Sequence, residues 1–420
     1  MIKFDSSNSK IIVDYQKNAP KLKSIIASME DGSALGSAFL GWNKQLLTND
    51  FEEIEQIYQT ASFLESKAKT MLVLGIGGSY LGSLAIDQAL NGKSLSKAKR
   101  LLYAGYDISS ENFSEIYEYC QNNDFVINVI SKSGTTLETA VSYRLFKKLL
   151  IDKYGENKWQ DYVVITTDQK TGALRQIANE QKIKSFVIPH DIGGRYSVFS
   201  AVGLLPLAFV DIDIKALLEG ATLAAQDCFK VSGDNAAFAY ALNRFEQYNN
   251  GLSVEALVVY NQNLRFLIEW YKQLFAESEG KNKKGLFPTG LVYSTDLHSV
   301  GQFVQDGSTI LFETIIKFKK TKQQIMIPYD KDDYDNLNRL TEYSLADINE
   351  KIITGAIEAH SHKGDVSNYV IELECLDEKN LGYLMAFMMY ACAYSAYLLE
   401  VNPFDQPGVE VYKKEISKLL

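Results

Sequence analysis

The chain has 420 residues, 46% of them hydrophobic, enough for two or three domains with sizeable cores at roughly 100–200 residues per domain. Its 52 acidic and 43 basic side chains give a net charge of -9, which offers no long-range attraction to a phosphate backbone or an anionic lipid and argues against nucleic acid or a membrane as partner. Cys120, Cys228, Cys375 and Cys392 are scattered, with no CxxC pair and no histidine at metal-ligand spacing, and MIKFDSSNSK lacks the apolar stretch of a secretory signal. Reduced thiols in a cytoplasmic protein with no metal site are the expectation.

Short apolar runs recur, each followed by a Gly- or Ser-rich turn and then a longer amphipathic stretch. This alternation predicts an α/β fold of parallel sheets flanked by helices. The first strands are expected at 71–74, 125–130, 162–166 and 186–189, and a second series at 255–260, 324–328 and 369–374. Residues 202–215 are apolar, and the chain then turns polar and helical from 214 to about 250. A boundary near 210 is expected, giving domains 1–210 and 211–420, each with its own sheet. Residues 381–399 carry no charge and are long enough to span a bilayer, but Gly382, Ser395 and four tyrosines within them favour a helix buried in an α/β core or at a subunit contact.

Five segments can carry chemistry. Gly75-Ile76-Gly77-Gly78-Ser79-Tyr80-Leu81-Gly82 follows a strand and opens a helix, where backbone amides can approach an anion. Tyr80 stands where a dinucleotide fingerprint needs glycine, and a plain tight turn is the other reading. Ser131-Lys132-Ser133-Gly134-Thr135-Thr136 also lies between strand and helix, and its hydroxyls and amides can hold a phosphate, although N-capping alone would use one of them. Two such turns at strand ends point to one site at the carboxyl edge of a sheet, for a ligand that carries a phosphate.

In Asp191-Ile192-Gly193-Gly194-Arg195-Tyr196-Ser197 the arginine behind two glycines can stabilise a developing oxyanion or simply pair with a carboxylate. Apolar residues at 264, 267, 268, 271, 274 and 275 predict a helix ending near Gly280, with Glu277 in its last turn. The macrodipole disfavours an anion there, a setting that suits a group asked to accept a proton, while a solvated surface glutamate is the ordinary alternative. His298, after Asp296-Leu297, is one of four histidines, and a lone histidine is more often structural. Phe404-Asp405-Gln406-Pro407-Gly408-Val409-Glu410-Val411-Tyr412-Lys413 reads as a turn followed by a helix start.

Taken in order, GIGGSYLG, SKSGTT, DIGGRYS, ESEGK, DLHSVGQ and FDQPGVEVYK resemble the glucose-6-phosphate isomerase family, from residue 75 to 413. GGRYS and F-D-Q-x-G-V-E-x-x-K match its two diagnostic signatures. The resemblance implies two sugar-isomerase (SIS) domains, a homodimer and no metal or organic cofactor. It implies interconversion of glucose 6-phosphate and fructose 6-phosphate, a step of glycolysis and gluconeogenesis, by ring opening and 1,2 proton transfer through a cis-enediolate.

By matching position, Ser79, Ser131, Ser133 and Thr136 look like the phosphate holders, with Lys132 beside them and Gly78 and Gly194 approaching by their backbones. Glu277 is similar to the family's base, Arg195 to its enediolate stabiliser, and His298 and Lys413 to the ring-opening pair, the histidine coming from the neighbouring subunit. Gln273 and Gln406 match residues lining the sugar. His190 departs from the acidic or small polar residue usual at that place. Competing readings are a non-catalytic sugar-phosphate sensor, an isomerase of another sugar phosphate on the same domain, and a dehydrogenase using the Gly75 turn.

Overall fold

Runs such as Thr-Met-Leu-Val-Leu have no polar face to turn outward, so they stabilise the chain only as strands covered on both sides. The computed structural model describes residues 2–93 and 97–419. In chain order its strands are β1 (Lys3–Asn8), β2 (Thr70–Leu74), β3 (Arg100–Ala104), β4 (Val126–Ile130), β5 (Val163–Thr167), β6 (Ser185–Val187), β7 (Val254–Val259), β8 (Phe287–Val292), β9 (Leu311–Lys320) and β10 (Asn368–Cys375). They form two five-stranded sheets, in the orders β3-β2-β4-β5-β6 and β1-β10-β9-β7-β8. Every residue of β2, β4 and β5 is buried, as interior parallel strands require.

The first sheet is wholly parallel. The second is parallel except at one edge, where β1 runs antiparallel to β10. Residues 3–8 thus lie in the sheet built from the second half of the chain.

Six of the seven expected strands are present within a residue or two. The seventh, at 324–328, is not a strand: Ile325 and Met326 are exposed, and an isolated bridge from Met326 to Ser344 is its pairing. The apolar letters there belong to an excursion between β9 and the Leu345–Glu358 helix. The helical stretch expected from 214 to about 250 is two helices, Ile214–Cys228 and Ala236–Asn249, the second capped by the Asn235 side chain.

The uncharged run becomes the helix Glu378–Leu398, long and apolar enough to cross a membrane but buried along almost its whole length. It lies against Ile214–Cys228 at very short range. A Cβ on Gly220 would collide with the main chain of Lys379, and one on Gly382 with that of Leu217. Trp42, fully buried, packs against Tyr196 at 5.1 Å, Tyr390 at 4.8 Å and Phe404 at 6.4 Å between ring centroids. That aromatic cluster anchors the segments containing Arg195 and Gln406 to one wall, burying roughly 1.5–3 kcal/mol of apolar surface per large side chain.

Candidate active site

Both phosphate-type turns emerge at carboxyl ends of neighbouring parallel strands. β2 runs into a short 3-10 turn, Gly77–Ser79, and then the helix Leu81–Asn91, while β4 runs into residues 131–136 and the helix Leu137–Tyr154. Thr136 is the N-cap of the second helix but makes no side-chain cap bond, so its hydroxyl is not committed to the helix. Ser131 is buried, and its Oγ accepts from Gly134 N at 3.0 Å and lies 3.4 Å from Thr136 Oγ1. Ser133 is exposed and accepts from Thr135 N at 3.2 Å and Thr135 Oγ1 at 3.1 Å. Lys132 donates to the His190 carbonyl at 3.0 Å. His190 takes part through its backbone, and its side chain is exposed.

The Gly77–Ser79 turn meets the Gly194–Tyr196 turn face to face. A Cβ on Gly78 would collide with the Gly194 carbonyl, so this contact admits only glycine. Space in front of Gly193 and Gly194 is open, which leaves room for a ligand against their backbones. Ser79 is half-buried beside it.

Behind Gly194, Arg195 is 2% exposed and spreads its guanidinium over five acceptors. Nε donates to Ser278 Oγ at 2.8 Å, Nη1 to Glu277 Oε2 at 3.1 Å, and Nη2 to the carbonyls of Glu277 and Asp405 at 3.4 Å each, and also to that of Pro403. Glu277 sits in the last turn of the helix Arg265–Glu279, with its side chain 28% exposed. Its Oε1 accepts from Gln273 Nε2 at 3.0 Å and its Oε2 also from Gln406 Nε2 at 3.5 Å. Gln273, one helical turn earlier, abuts Gly77 of the first turn, and its Oε1 is a buried acceptor with no partner among the described residues. One carboxylate therefore lies between the Arg195 guanidinium and two amides, beside the glycine turns at Gly77–Ser79 and Gly194–Tyr196.

Two expected site residues stand apart. His298 ends a short 3-10 segment, Thr295–His298, and is exposed, with no hydrogen bond from its ring to Glu277 or Arg195. Lys413 lies on the helix Pro407–Ser417, exposed, and pairs with Glu410 at 3.2 Å. No residue of that helix is buried.

Two residues of this region went unread in the sequence. Ser278 orients Arg195, and Lys281 donates to the Ser278 carbonyl at 2.9 Å, to that of Asn402, and pairs with Asp405 at 3.2 Å. Burial and then the nearby Arg195 charge hold the Lys281 amine below its ordinary range. Both lie in ESEGK, where the conspicuous glutamate drew the attention; a serine and a lysine at a helix end carry no distinctive spacing.

The crystal structure of a glucose-6-phosphate isomerase from Chlamydia trachomatis has this fold, with a TM-score of 0.83 at 20% identity over 100% of this chain and 88% of its own. The likeness makes this an α/β protein of parallel sheets flanked by helices, the fold class of that enzyme. A family model, phosphoglucose isomerase, matches residues 60–420. A glucose-6-phosphate isomerase of Mycoplasma mycoides is 44% identical over 423 residues, covering 100% of this chain and 99% of its own, and one of Staphylococcus saprophyticus is 42% identical over 410 residues, covering 97% and 92%. The chain belongs to the phosphoglucose isomerase family.

Proposed function

We propose that the cleft around Glu277 interconverts glucose 6-phosphate and fructose 6-phosphate by proton transfer between C1 and C2. The chain is an aldose–ketose isomerase of sugar phosphates, and the observation that carries the residue-level reading is the hydrogen-bonded set Gln273–Glu277–Arg195–Gln406. In that reading Ser131, Ser133 and Thr136, with Ser79 and Lys132, hold the phosphate at the N-terminal end of the Leu137–Tyr154 helix, where backbone amides and the macrodipole favour a dianion. Gly78 and Gly194 let the sugar lie against bare backbone.

With the phosphate anchored and the chain open, C1 and C2 lie over the Glu277 carboxylate. Glu277 takes the proton from C2 of the aldose, the electron pair moves onto the carbonyl oxygen, and Arg195 stabilises the cis-enediolate. Moving the hydroxyl proton from O2 to O1, with return of the Glu277 proton to C1, gives the ketose. Gln273 and Gln406 keep the carboxylate aimed at the edge it must serve. The exchange is redox-neutral, and written this way it calls for no metal or organic cofactor.

Ring opening needs a second acid–base pair, and His298 with Lys413 fills it. Their exposure within one subunit supports a homodimer in which His298 reaches the cleft of the partner. Val300 and Phe303, beside His298, and Val411, Tyr412 and Ile416, beside Lys413, are also exposed, as surfaces meant for another chain are. Co-refolded Glu277→Gln and His298→Ala subunits, each inactive alone, are expected to regain activity on mixing, since one site per mixed dimer then holds both native groups; no recovery would place His298 in its own subunit's site. A cytoplasmic location belongs to the same reading, and four unpaired thiols suit a reducing compartment.

The direct test is turnover of fructose 6-phosphate with chelator present, compared with amino-sugar and mannose phosphates, for the native chain and for Ser131→Ala/Thr136→Ala. Removing two donors to a charged group is expected to raise KM about tenfold or more with a smaller change in kcat. An unchanged KM would put the phosphate elsewhere.

A further inference from the structure

Behind the cleft lies an ionic cluster that the reaction above does not use. Arg244, Glu255 and Glu279 each have fully buried side chains. Arg244, on the helix Ala236–Asn249, pairs with Glu255 of β7 and, through Nη2 at 2.7 Å, with Glu279 Oε2, and its guanidinium lies 4.2 Å from the Phe275 ring centroid. Glu255 also accepts from the hydroxyls of Tyr240, Tyr271 and Thr314, each at 2.6 Å. The Glu255 oxygens are thus well supplied with donors. Glu279 is not: its Oε1 has no partner among the described residues, nor has Arg244 Nε.

Two carboxylates around one guanidinium, out of water, make a poor stabilising device, and well-packed apolar residues commonly do as well. Burial accordingly pushes the Glu279 carboxyl up from its ordinary range. What the cluster does supply is position. Glu277, Ser278 and Glu279 are consecutive in the last helical turn, so their side chains leave the axis about 100° apart. Glu277 faces the cleft, Ser278 holds Arg195, and Glu279 is held by Arg244. A helix end normally frays, and Gly280 follows immediately. Here its rotation is fixed from the inside.

We infer that Glu279, held by Arg244, is a positioning residue for Glu277: it sets the rotation of the last turn of Arg265–Glu279 and so the aim of the Glu277 carboxylate at the sugar. The inference rests on the isomerase reading, and Glu279 itself touches neither substrate nor reacting atoms.

The test compares three variants with the native protein, with fructose 6-phosphate as substrate and folding checked by circular dichroism and melting. Glu279→Leu, which removes the acceptor, and Glu279→Asp, which keeps the charge but draws it back by one methylene, are each expected to lower kcat by about tenfold to a hundredfold, the effect of a misplacement near 1 Å. KM should stay within about twofold, because the phosphate loops belong to the other sheet and do not touch Arg244. Glu279→Gln, which still accepts from Arg244, should restore kcat to within about threefold of native. A purely structural role would lower the melting temperature and leave kcat of the folded fraction unchanged.

Native kcat in either folded short-reach or apolar variant overturns the inference, as does a glutamine variant no better than leucine, or failure of both leucine and aspartate variants to fold. Absence of turnover by the native chain would instead overturn the isomerase reading, so the two failures are distinguishable.

Discussion

Glu277→Gln is expected to lower kcat by about three orders of magnitude, within the range associated with removing a positioned general base. Glutamine keeps the length and shape of the side chain; its one oxygen can keep accepting from Arg195 Nη1, and its NH2 then meets Gln273, whose amide oxygen has no other partner among the described residues and can turn to accept it, so the cleft should survive. What is lost is a group that can carry a proton from C2 to C1. KM for fructose 6-phosphate should move little, because the hydroxyls proposed to hold the phosphate lie on the other sheet, after β2 and β4. The measurement is a steady-state comparison of both constants, with solvent-hydrogen exchange at C1 of fructose 6-phosphate followed by NMR as a second readout. Turnover near native would remove Glu277 from the base role.

Arg195→Lys should be nearly as damaging, and for two separable reasons. The guanidinium reaches five acceptors on two segments, 277–278 and 403–405, from one buried point, which the three clustered donors of a lysine cannot do. The enediolate loses a directed donor, for which about a hundredfold to a thousandfold in kcat is expected. The buried Pro403 carbonyl also loses its partner, at a cost of about 1–3 kcal/mol, and the more exposed Asp405 carbonyl loses a longer bond, so melting should fall together with activity. A lysine variant with full kcat and a lowered melting temperature would make Arg195 a tether for the 403–405 segment and nothing more.

The interior strands were legible because burial on both faces leaves a largely apolar run, broken in β4 by Asn128 and in β7 by Glu255 but long enough in each to read. Of the edge strands β6 was legible, and β1, β3 and β8 were not. β8 contains Pro288 and Gly290, which read as turn chemistry, and it is tolerated because β8 lies at the rim of its sheet. β9 carries Glu313 within its apolar stretch, and that carboxylate is buried against His360 Nδ1 at 2.8 Å, a partner 47 residues away that no local pattern announces. β3 is a short edge strand, and 324–328 is apolar without a sheet to join.

Around the cleft the turns were legible from chemistry alone: the segments from Gly75 and from Ser131 each follow a strand and open a helix, as their glycines and hydroxyls suggest. The way Arg195 binds Ser278 and the carbonyls of 403 and 405 was not, since it joins three segments spread over half of the chain. His298 and Lys413 carry no local geometry that ties them to Glu277, and within one subunit the structure leaves them on the surface.

The seam between β1 and β10 bears on how the molecule is made. Lys3 to Asn8 are synthesised long before the strand they join, and the Ser9–Tyr369 hydrogen bond beside them spans 360 residues. The first sheet can assemble from a continuous stretch of chain as that stretch emerges, whereas the second waits for its opening residues to return and cover the exposed edge of β10. Closing so large a loop is slow relative to local pairing and contributes little until the rest of the second sheet is in place. Loop closure alone favours the order first sheet, then β7 to β10, then the returning strand. The two halves of the polypeptide leave the process laced together, so that cutting the chain between them would not yield two independent pieces.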